Sequence, residues 1–144
     1  IIDLNLTSAF LCTKLIGGAM LPRKKGRVIN VSSISGLVAG KSMRGRTYET
    51  SKAALAMFTK AVAADWASSG VTVNAIAPGP FYTNIRGGVM FRDPDVVKRF
   101  EEMVPMGRCA QPDEIKGLAL LLASPAGSFI TGTAIPVDGG TTAR

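Results

Sequence analysis

The 144-residue chain contains no histidine, only two cysteines and no apolar run as long as a membrane helix requires. The absence of histidine excludes catalysis by Ser-His-Asp or Cys-His groups and any zinc site that needs imidazole. Cys12 and Cys109 cannot build a disulfide framework or a four-thiolate site, and we predict no metal. Basic residues interrupt every apolar stretch before the roughly 18 residues of a membrane span, so we expect no membrane contact.

Charged residues are also scarce, at 19%, and the formal net charge is +7. Nucleic-acid binding would need a basic cluster interleaved with aromatics, and the one tight basic run, Arg23-Lys24-Lys25, has no aromatic among its residues. We interpret this run as a solvated loop and expect no nucleic-acid partner. With 47% hydrophobic residues, the chain is predicted to fold as a globular domain, and its two lone cysteines suit a reducing, cytoplasmic location.

Apolar periodicity and Gly/Pro breakers predict helices that alternate with short strands. The predicted helices are 4–21, 48–68, 94–103 and 112–123, and the predicted strands are 26–33, 71–77 and 132–140. We expect the first helix to bury most of its apolar face and the first strand to be buried. The alternation predicts parallel strands joined by crossovers, an α/β layer fold in which three short strands make an incomplete sheet.

Unusual residues follow two of the predicted strands where each one ends. Ser32-Ser33 close the first strand and Pro78-Gly79-Pro80 close the second, at the sheet edge where parallel α/β folds bind ligands. Tyr48 and Lys52 lie one turn apart on the same face of the next helix. A phenol has an ordinary pKa of about 10, and a lysine ammonium one turn away favours its ionised form. A nearby serine hydroxyl can hold a carbonyl or alcohol oxygen, so this set suits ketone–alcohol chemistry.

Five segments, taken together and in this order, resemble the short-chain dehydrogenase/reductase family. They are Asn5-Leu6, Val31-Ser32-Ser33-Ile34-Ser35-Gly36, Tyr48-x-x-x-Lys52, Asn74-Ala75-Ile76-Ala77-Pro78-Gly79 and Ile130-Thr131-Gly132-Thr133-Ala134-Ile135-Pro136-Val137-Asp138-Gly139-Gly140. The likeness covers nearly the whole chain. It implies a Rossmann-like doubly wound parallel sheet, with residues 1–144 as the C-terminal part of one catalytic domain whose N-terminal strands are absent from this chain.

The resemblance also implies catalytic roles. Tyr48 would be the acid/base, and Ser33, favoured over its neighbour Ser32, would bind the substrate oxygen. Lys52 would favour the Tyr48 phenolate and hydrogen-bond the nicotinamide ribose, and Asn5 would hold a water in the proton relay.

The implied cofactor is NAD or NADP, bound by Tyr48, Lys52, Pro78, Gly79, Phe81 and Thr83. Pro78 and Gly79 would pass beside the nicotinamide, with Phe81 and Thr83 near its carboxamide. Family members normally start with a Thr-Gly-x-x-x-Gly-x-Gly turn that receives the pyrophosphate, and this chain contains none. We therefore expect the 144-residue piece alone to be inactive.

The expected function is hydride transfer between a nicotinamide cofactor and an alcohol or ketone substrate, which could be a sugar acid, a polyol or a 3-oxoacyl group. Residues 84–108 mix arginines with Met and Phe and are expected to form a substrate lid. The alternative is a non-catalytic remnant that acts as an oligomerisation module. In either case the alanine-rich helix 48–68 predicts a homo-dimer or homo-tetramer.

Overall fold

The computed structural model describes residues 1–40, 46–88 and 92–143. The first helix, α1, is a continuous stretch over residues 3–20. It combines π-helical turns at Asp3–Thr7 and Thr13–Gly17 with an α-helical turn, Ser8–Cys12, and a 3₁₀ turn, Gly18–Met20. Residues 41–45 of the loop expected after the first strand, and residues 89–91 of the expected lid, lie outside the described residues.

The elements that follow alternate between strand and helix. They are β1 Gly26–Val31, α2 Arg46–Trp66, β2 Val71–Pro78, α3 Pro94–Met103, α4 Lys116–Ala123 and β3 Ala134–Val137. A 3₁₀ turn, Pro112–Ile115, leads into α4. All the predicted helices are therefore confirmed, with ends that shift by at most a few residues.

The ends of the helices have local causes. After α2 the chain turns at Gly70, which has φ 71° and lies where an added Cβ would meet the Lys24 carbonyl oxygen, so only glycine fits. Pro94 occupies the first turn of α3, and the Asp93 side chain caps it by accepting the Asp95 N–H at 3.0 Å.

The sheet is parallel, in the order β1-β2-β3, which confirms the predicted α/β class. In the register, Val31 on β1 pairs with Ile76 on β2, and Pro78 pairs with Val137 on β3. Residues 71–77 of β2 are all buried because this strand has a neighbour on both sides.

Helices cover both faces of the sheet. Val71 and Val73 pack with Ala63 of α2 in the main core, which Met20, Trp66 and other partly buried residues extend. Side chains alternate between the faces of a strand, so Asn74 points the other way. Its amide donates to the Ile130 carbonyl at 2.8 Å, in the segment that follows α4. None of the helices in the described part of the chain has both the length and the apolar character needed to cross a bilayer.

Two burial expectations are wrong. Within β1 only Asn30 is buried, and Val31 is 58% exposed, because among the described residues β1 pairs on one side only. The apolar face of α1 is likewise not largely buried, since Leu4 and Leu15 are more than 70% exposed.

Small residues explain the packing of α1. Thr13 and Gly17 form its buried side, and an added Cβ at Gly17 would lie 2.6 Å from the Trp66 ring. The helix therefore approaches α2 closely through small residues, and several of its large apolar side chains, Leu4, Leu15 and Ile16, face outward.

Two predicted strands are too long. β1 ends at Val31, so Ser32 and Ser33 lie just beyond it, and β3 covers Ala134–Val137 rather than residues 132–140. Positive φ values at Gly132 (76°) and Gly139 (61°) turn the chain out of the extended conformation on either side of β3.

Candidate active site

The carboxyl ends of β1 and β2 lie side by side, as the sequence predicts. The Ser32 N–H donates to the Ile76 carbonyl at 2.8 Å, and the Gly79 N–H donates to Val137 at 3.0 Å, so the pairing continues just past both strands. Ser33 and the Pro78-Gly79 corner are thereby brought to one edge of the sheet.

The two adjacent serines make different contacts. The Ser32 hydroxyl donates to the Lys52 carbonyl oxygen at 2.8 Å, which joins the end of β1 to the main chain of α2. The Ser33 Oγ accepts the Ser35 N–H at 3.1 Å and so caps the short turn Ile34–Gly36. Ser33 is buried, with 8% of its surface exposed. Even so, the O–H proton of Ser33 has no acceptor among the described residues.

Gly36 presses this turn against α2. A Cβ at position 36 would lie 2.5 Å from the Lys52 carbonyl carbon, so a larger residue would push the turn away from the helix. The close approach explains how Ser33 and the first turns of α2 come to occupy the same region.

Lys52 is held at the end of β1. Its Nζ donates to the Val31 carbonyl at 2.8 Å and lies 5.9 Å from the centre of the Tyr48 ring. Burial lowers the pKa of Lys52 from its ordinary value. An ammonium has three N–H donors, so the bond to Val31 leaves capacity for a second polar partner.

Asn5 reaches α2 through a serine that the sequence reasoning missed. The Asn5 Nδ2 donates to Ser51 Oγ at 3.0 Å, and the Ser51 hydroxyl donates to the Tyr48 carbonyl at 2.7 Å. Ser51 is fully buried. Its position three residues after Tyr48 was the available signal, because a helical serine can donate back to an earlier carbonyl. These bonds fasten α1 to the first turn of α2.

The predicted cofactor residues lie around the exit from β2. Gly79 packs against the C-terminal turn, where an added Cβ would lie 2.8 Å from the Cα of Asp138, so packing alone accounts for this glycine. Phe81 is buried and forms an isolated parallel bridge with Ala110, whereas Thr83 is exposed. Four of the six predicted cofactor residues, Pro78, Gly79, Phe81 and Thr83, follow one another along this exit, and the other two, Tyr48 and Lys52, lie on α2.

A parallel α/β sheet that carries a Tyr-x-x-x-Lys helix start beside a strand-end serine defines a class, the Rossmann-like oxidoreductases. Within it, the profile of a family described as enoyl-(acyl carrier protein) reductase, one of the short-chain dehydrogenase/reductase profiles, matches residues 1–142. The chain belongs to the short-chain dehydrogenase/reductase family.

Curated relatives include a galactitol 2-dehydrogenase (L-tagatose-forming) from Cereibacter sphaeroides, 39% identical over 142 residues, which are 99% of this chain and 56% of the relative. A 3-oxoacyl-[acyl-carrier-protein] reductase from Synechocystis is 41% identical over 141 residues, or 97% of this chain and 54% of that protein. The chain thus spans about half the length of the curated relatives it matches.

Solved structures agree with this membership. A gluconate 5-dehydrogenase from Burkholderia cenocepacia, in complex with NADP and tartrate, superposes with a TM-score of 0.89 at 34% identity and covers 97% of this chain and 54% of its own. A short-chain type dehydrogenase/reductase from Mycobacterium marinum gives a TM-score of 0.90 at 35% identity, over 100% of this chain and 56% of its own. The Rossmann-like fold expected from the sequence is confirmed.

Proposed function

We propose that the whole protein interconverts an alcohol and a ketone, with NAD or NADP as the hydride carrier. Three contacts around the carboxyl end of β1 support this proposal. Lys52 Nζ bonds the Val31 carbonyl, Asn5 bonds α2 through Ser51, and the turn that follows Ser33 packs against Lys52 at Gly36. Such a set suits proton exchange at an oxygen while hydride moves at the adjacent carbon.

The donors present fit a nicotinamide nucleotide. Lys52 Nζ uses one donor on Val31 and has others for ribose hydroxyls. Pro78, Gly79, Phe81 and Thr83, at and just after the end of β2, would line the nicotinamide end. When bound, the cofactor accepts or donates the hydride. The glycine-rich turn that would receive the pyrophosphate does not occur in the 144 residues, so cofactor binding is a proposal for the whole protein.

Each residue of the set has a part in the oxidation direction. Ser33, whose O–H proton has no acceptor among the described residues, donates it to the substrate oxygen and fixes that oxygen in place. Tyr48 takes the hydroxyl proton as the C–H hydride leaves, and the positive charge of Lys52 favours the phenolate that accepts it. Asn5 lies behind Tyr48 through Ser51, where it would hold a water in the relay that returns the proton to solvent.

The substrate is expected to be a sugar acid, a polyol or a 3-oxoacyl group. Relatives act on galactitol and on 3-oxoacyl-[acyl-carrier-protein], as their names state. Residues 84–108 are proposed to form the lid that selects among these substrates. Arg108, near the end of that segment, is engaged with Glu114 at 2.7 Å, so it is not the guanidinium we would assign to an anionic substrate.

A second copy of the chain is the proposed partner of α1 and α2. An apolar groove of about 380 Å³ lies between them, lined by Leu6, Thr7, Phe10, Ala54 and Phe58. Met57 on α2 is 63% exposed and Leu4 on α1 is 77% exposed, so both helices also present apolar side chains to solvent. In a symmetric dimer this apolar surface would be buried against the same surface of the second copy and so removed from water. The proposed enzyme would assemble through this surface. The alternative, a non-catalytic oligomerisation module, would use the same surface.

The neighbouring serines provide the test. In the whole protein, Ser33→Ala is expected to lower turnover by about 10²-fold or more, since it removes a donor to the substrate oxygen. Ser32→Ala, the matched control, is expected to lower the melting temperature and to retain most of the turnover per folded molecule. Activity is measured with NAD and NADP on galactitol, gluconate and a 3-oxoacyl thioester. Equal loss of turnover in both variants, or a parent inactive on every substrate, would contradict the proposal.

A further inference from the structure

Residues 81–110 leave the sheet and return to it at one point. Phe81 and Ala110 form a parallel bridge, in which the Tyr82 N–H donates to the Ala110 carbonyl at 2.8 Å and the Ala110 N–H donates to Pro80 at 2.9 Å. The main chain that carries the proposed cofactor contacts Phe81 and Thr83 is thereby fixed at its start.

The side chain of Tyr82 makes a second attachment. Its hydroxyl donates to Glu101 Oε1 at 2.7 Å, on the last turn of α3. A hydrogen bond to a carboxylate is among the stronger kinds in proteins. Because Tyr82 lies between Phe81 and Thr83, this bond acts on the short segment that we assign to the nicotinamide end of the cofactor.

The far end of α3 is itself anchored. Val104, directly after the helix, is 5% exposed and packs under Gly139, where an added Cβ would lie 2.5 Å from Val104 Cγ1. The Met106 N–H donates to the Gly139 carbonyl at 3.2 Å. Glu101 therefore offers Tyr82 a fixed point, because its helix is joined to the turn that follows β3.

The charges around this bond keep it intact at neutral pH. The hydrogen bond to Glu101, together with burial and the negative charge of Glu101, raises the pKa of Tyr82 to about 12 against a smaller opposing effect of Arg108. Burial, and then Glu101, raises the pKa of the Cys109 thiol. Near neutral pH the phenol therefore remains a donor and the neighbouring thiol remains uncharged.

We propose that Tyr82 is a positioning residue of the cofactor site, whose bond to Glu101 holds residues 81–83 in the arrangement that receives the nicotinamide. The proposal rests on the proposed function, because it takes Phe81 and Thr83 as cofactor contacts. Tyr82 itself exchanges no proton with the substrate. Its loss should weaken cofactor binding and leave the chemical step nearly unchanged.

The first test separates affinity from turnover in the whole protein. Tyr82→Phe and Glu101→Gln are each expected to raise the Kd of NAD or NADP by about 5- to 10-fold, with kcat at saturating cofactor within about twofold of the parent. The double variant is expected to lose no more than Tyr82→Phe alone, because Tyr82→Phe removes the bond that Glu101→Gln weakens by replacing the carboxylate acceptor with an amide oxygen. Glu102→Gln, an exposed neighbour on α3, is the control and should bind like the parent.

The second test needs no activity. Tyr48 and Tyr82 are the two tyrosines of the 144 residues. In the whole protein, the Tyr82 signal is therefore the difference in absorbance near 295 nm between Tyr48→Phe and the double variant Tyr48→Phe, Tyr82→Phe. At about pH 10.5 an ordinary phenol is more than half ionised. Tyr82 should remain mostly neutral there, and Glu101→Gln should ionise it. Ionisation of Tyr82 in the Tyr48→Phe variant at that pH would show that the bond to Glu101 is absent and would overturn the proposal.

The outcomes distinguish this proposal from the function on which it rests. Failure of the parent to bind NAD and NADP would overturn the proposed function and the role of Tyr82 with it. Parent-like cofactor affinity in Tyr82→Phe, or losses that add up in the double variant, would overturn the role of Tyr82 alone.

Discussion

The carboxyl edge of the sheet and the outer face of α1 are built in opposite ways. At the sheet edge, Ser32, Ser51 and Lys52 each have a defined hydrogen-bond partner within the chain. On α1, Leu4 and Leu15 are exposed to solvent. The groups that support the proposed site are thus bonded within the chain, while apolar groups are left uncovered where we place a second copy of the chain.

This difference shows which features of the structure a short stretch of sequence can predict. Ser32 and Lys52 lie at the end of one strand and in the first turns of the helix that follows it, so a sequence pattern can bring them to the same sheet edge. Burial of α1 depends on what lies against it, and a helical pattern of apolar residues does not say whether the covering surface belongs to the same chain.

The largest effect on stability is expected for substitution of a buried leucine of α4, compared with the same substitution of an exposed leucine on that helix. Leu122 is fully buried and Leu120 is 69% exposed on the same helix. Leu122→Ala should lower the free energy of unfolding by about 2–5 kcal/mol, because it removes packed methyl groups and leaves a cavity. Leu120→Ala should change it by less than about 0.5 kcal/mol. Urea denaturation of both variants measures the difference, and similar losses would contradict the assigned burial.

Substitution of the exposed leucines of α1 is expected to change the stability less and to have a clear effect on assembly. Changing both Leu4 and Leu15 to glutamine should convert the protein from an oligomer to a monomer in sedimentation experiments at micromolar concentration. The exposed neighbour Lys14→Gln should leave the sedimentation unchanged. A parent protein that sediments as a monomer would refute the proposed assembly through this face.

The smallest expected effect concerns the exposed pair Arg108–Glu114, joined by two bonds of 2.7 Å. Hydrogen bonds from Arg108 and from the Gln111 N–H lower the pKa of Glu114 to about 2. Because the pKa of Glu114 is lower in the folded state, the ionised carboxylate stabilises the fold at pH values above its unfolded pKa of about 4.3. This contribution is lost as the pH falls through the folded-state pKa.

Glu114→Gln should therefore lower the melting temperature slightly at pH 7, since exposed ion pairs contribute little, and by less near pH 2, where Glu114 is about half protonated. A melting-temperature series across this pH range makes the comparison, with Glu102→Gln as the control. A difference between parent and Glu114→Gln that is the same at every pH would show that the pair is not the cause.

Sequence patterns predicted the helices, the parallel sheet and the position of Ser33 at the same sheet edge as the Pro78-Gly79 corner, because these follow from periodicity and from the geometry of parallel strands. They did not predict Ser51 as the link between Asn5 and Tyr48, since that bond depends on how closely α1 approaches α2. They also placed Ser32 and Ser33 inside β1. The turn at Ile34–Gly36, pressed on α2 through Gly36, ends that strand earlier.

The sequence patterns also did not predict the contact between Tyr82 and Glu101. The two residues are separated by 19 positions, and the bond depends on the bridge between Phe81 and Ala110 that folds the segment back. No periodic pattern connects a residue after a strand with one on a later helix.

The most direct test of the central claim is the turnover of Tyr48→Phe in the whole protein, measured together with its affinity for NAD and NADP. The change removes one hydroxyl from the start of α2 and keeps the ring. We expect kcat to fall by about 10³-fold or more, because the acid/base is lost, while the Kd of the cofactor stays within about twofold of the parent. Turnover within about threefold of the parent, on a substrate that the parent converts, would contradict the assignment of Tyr48 and the account of this site.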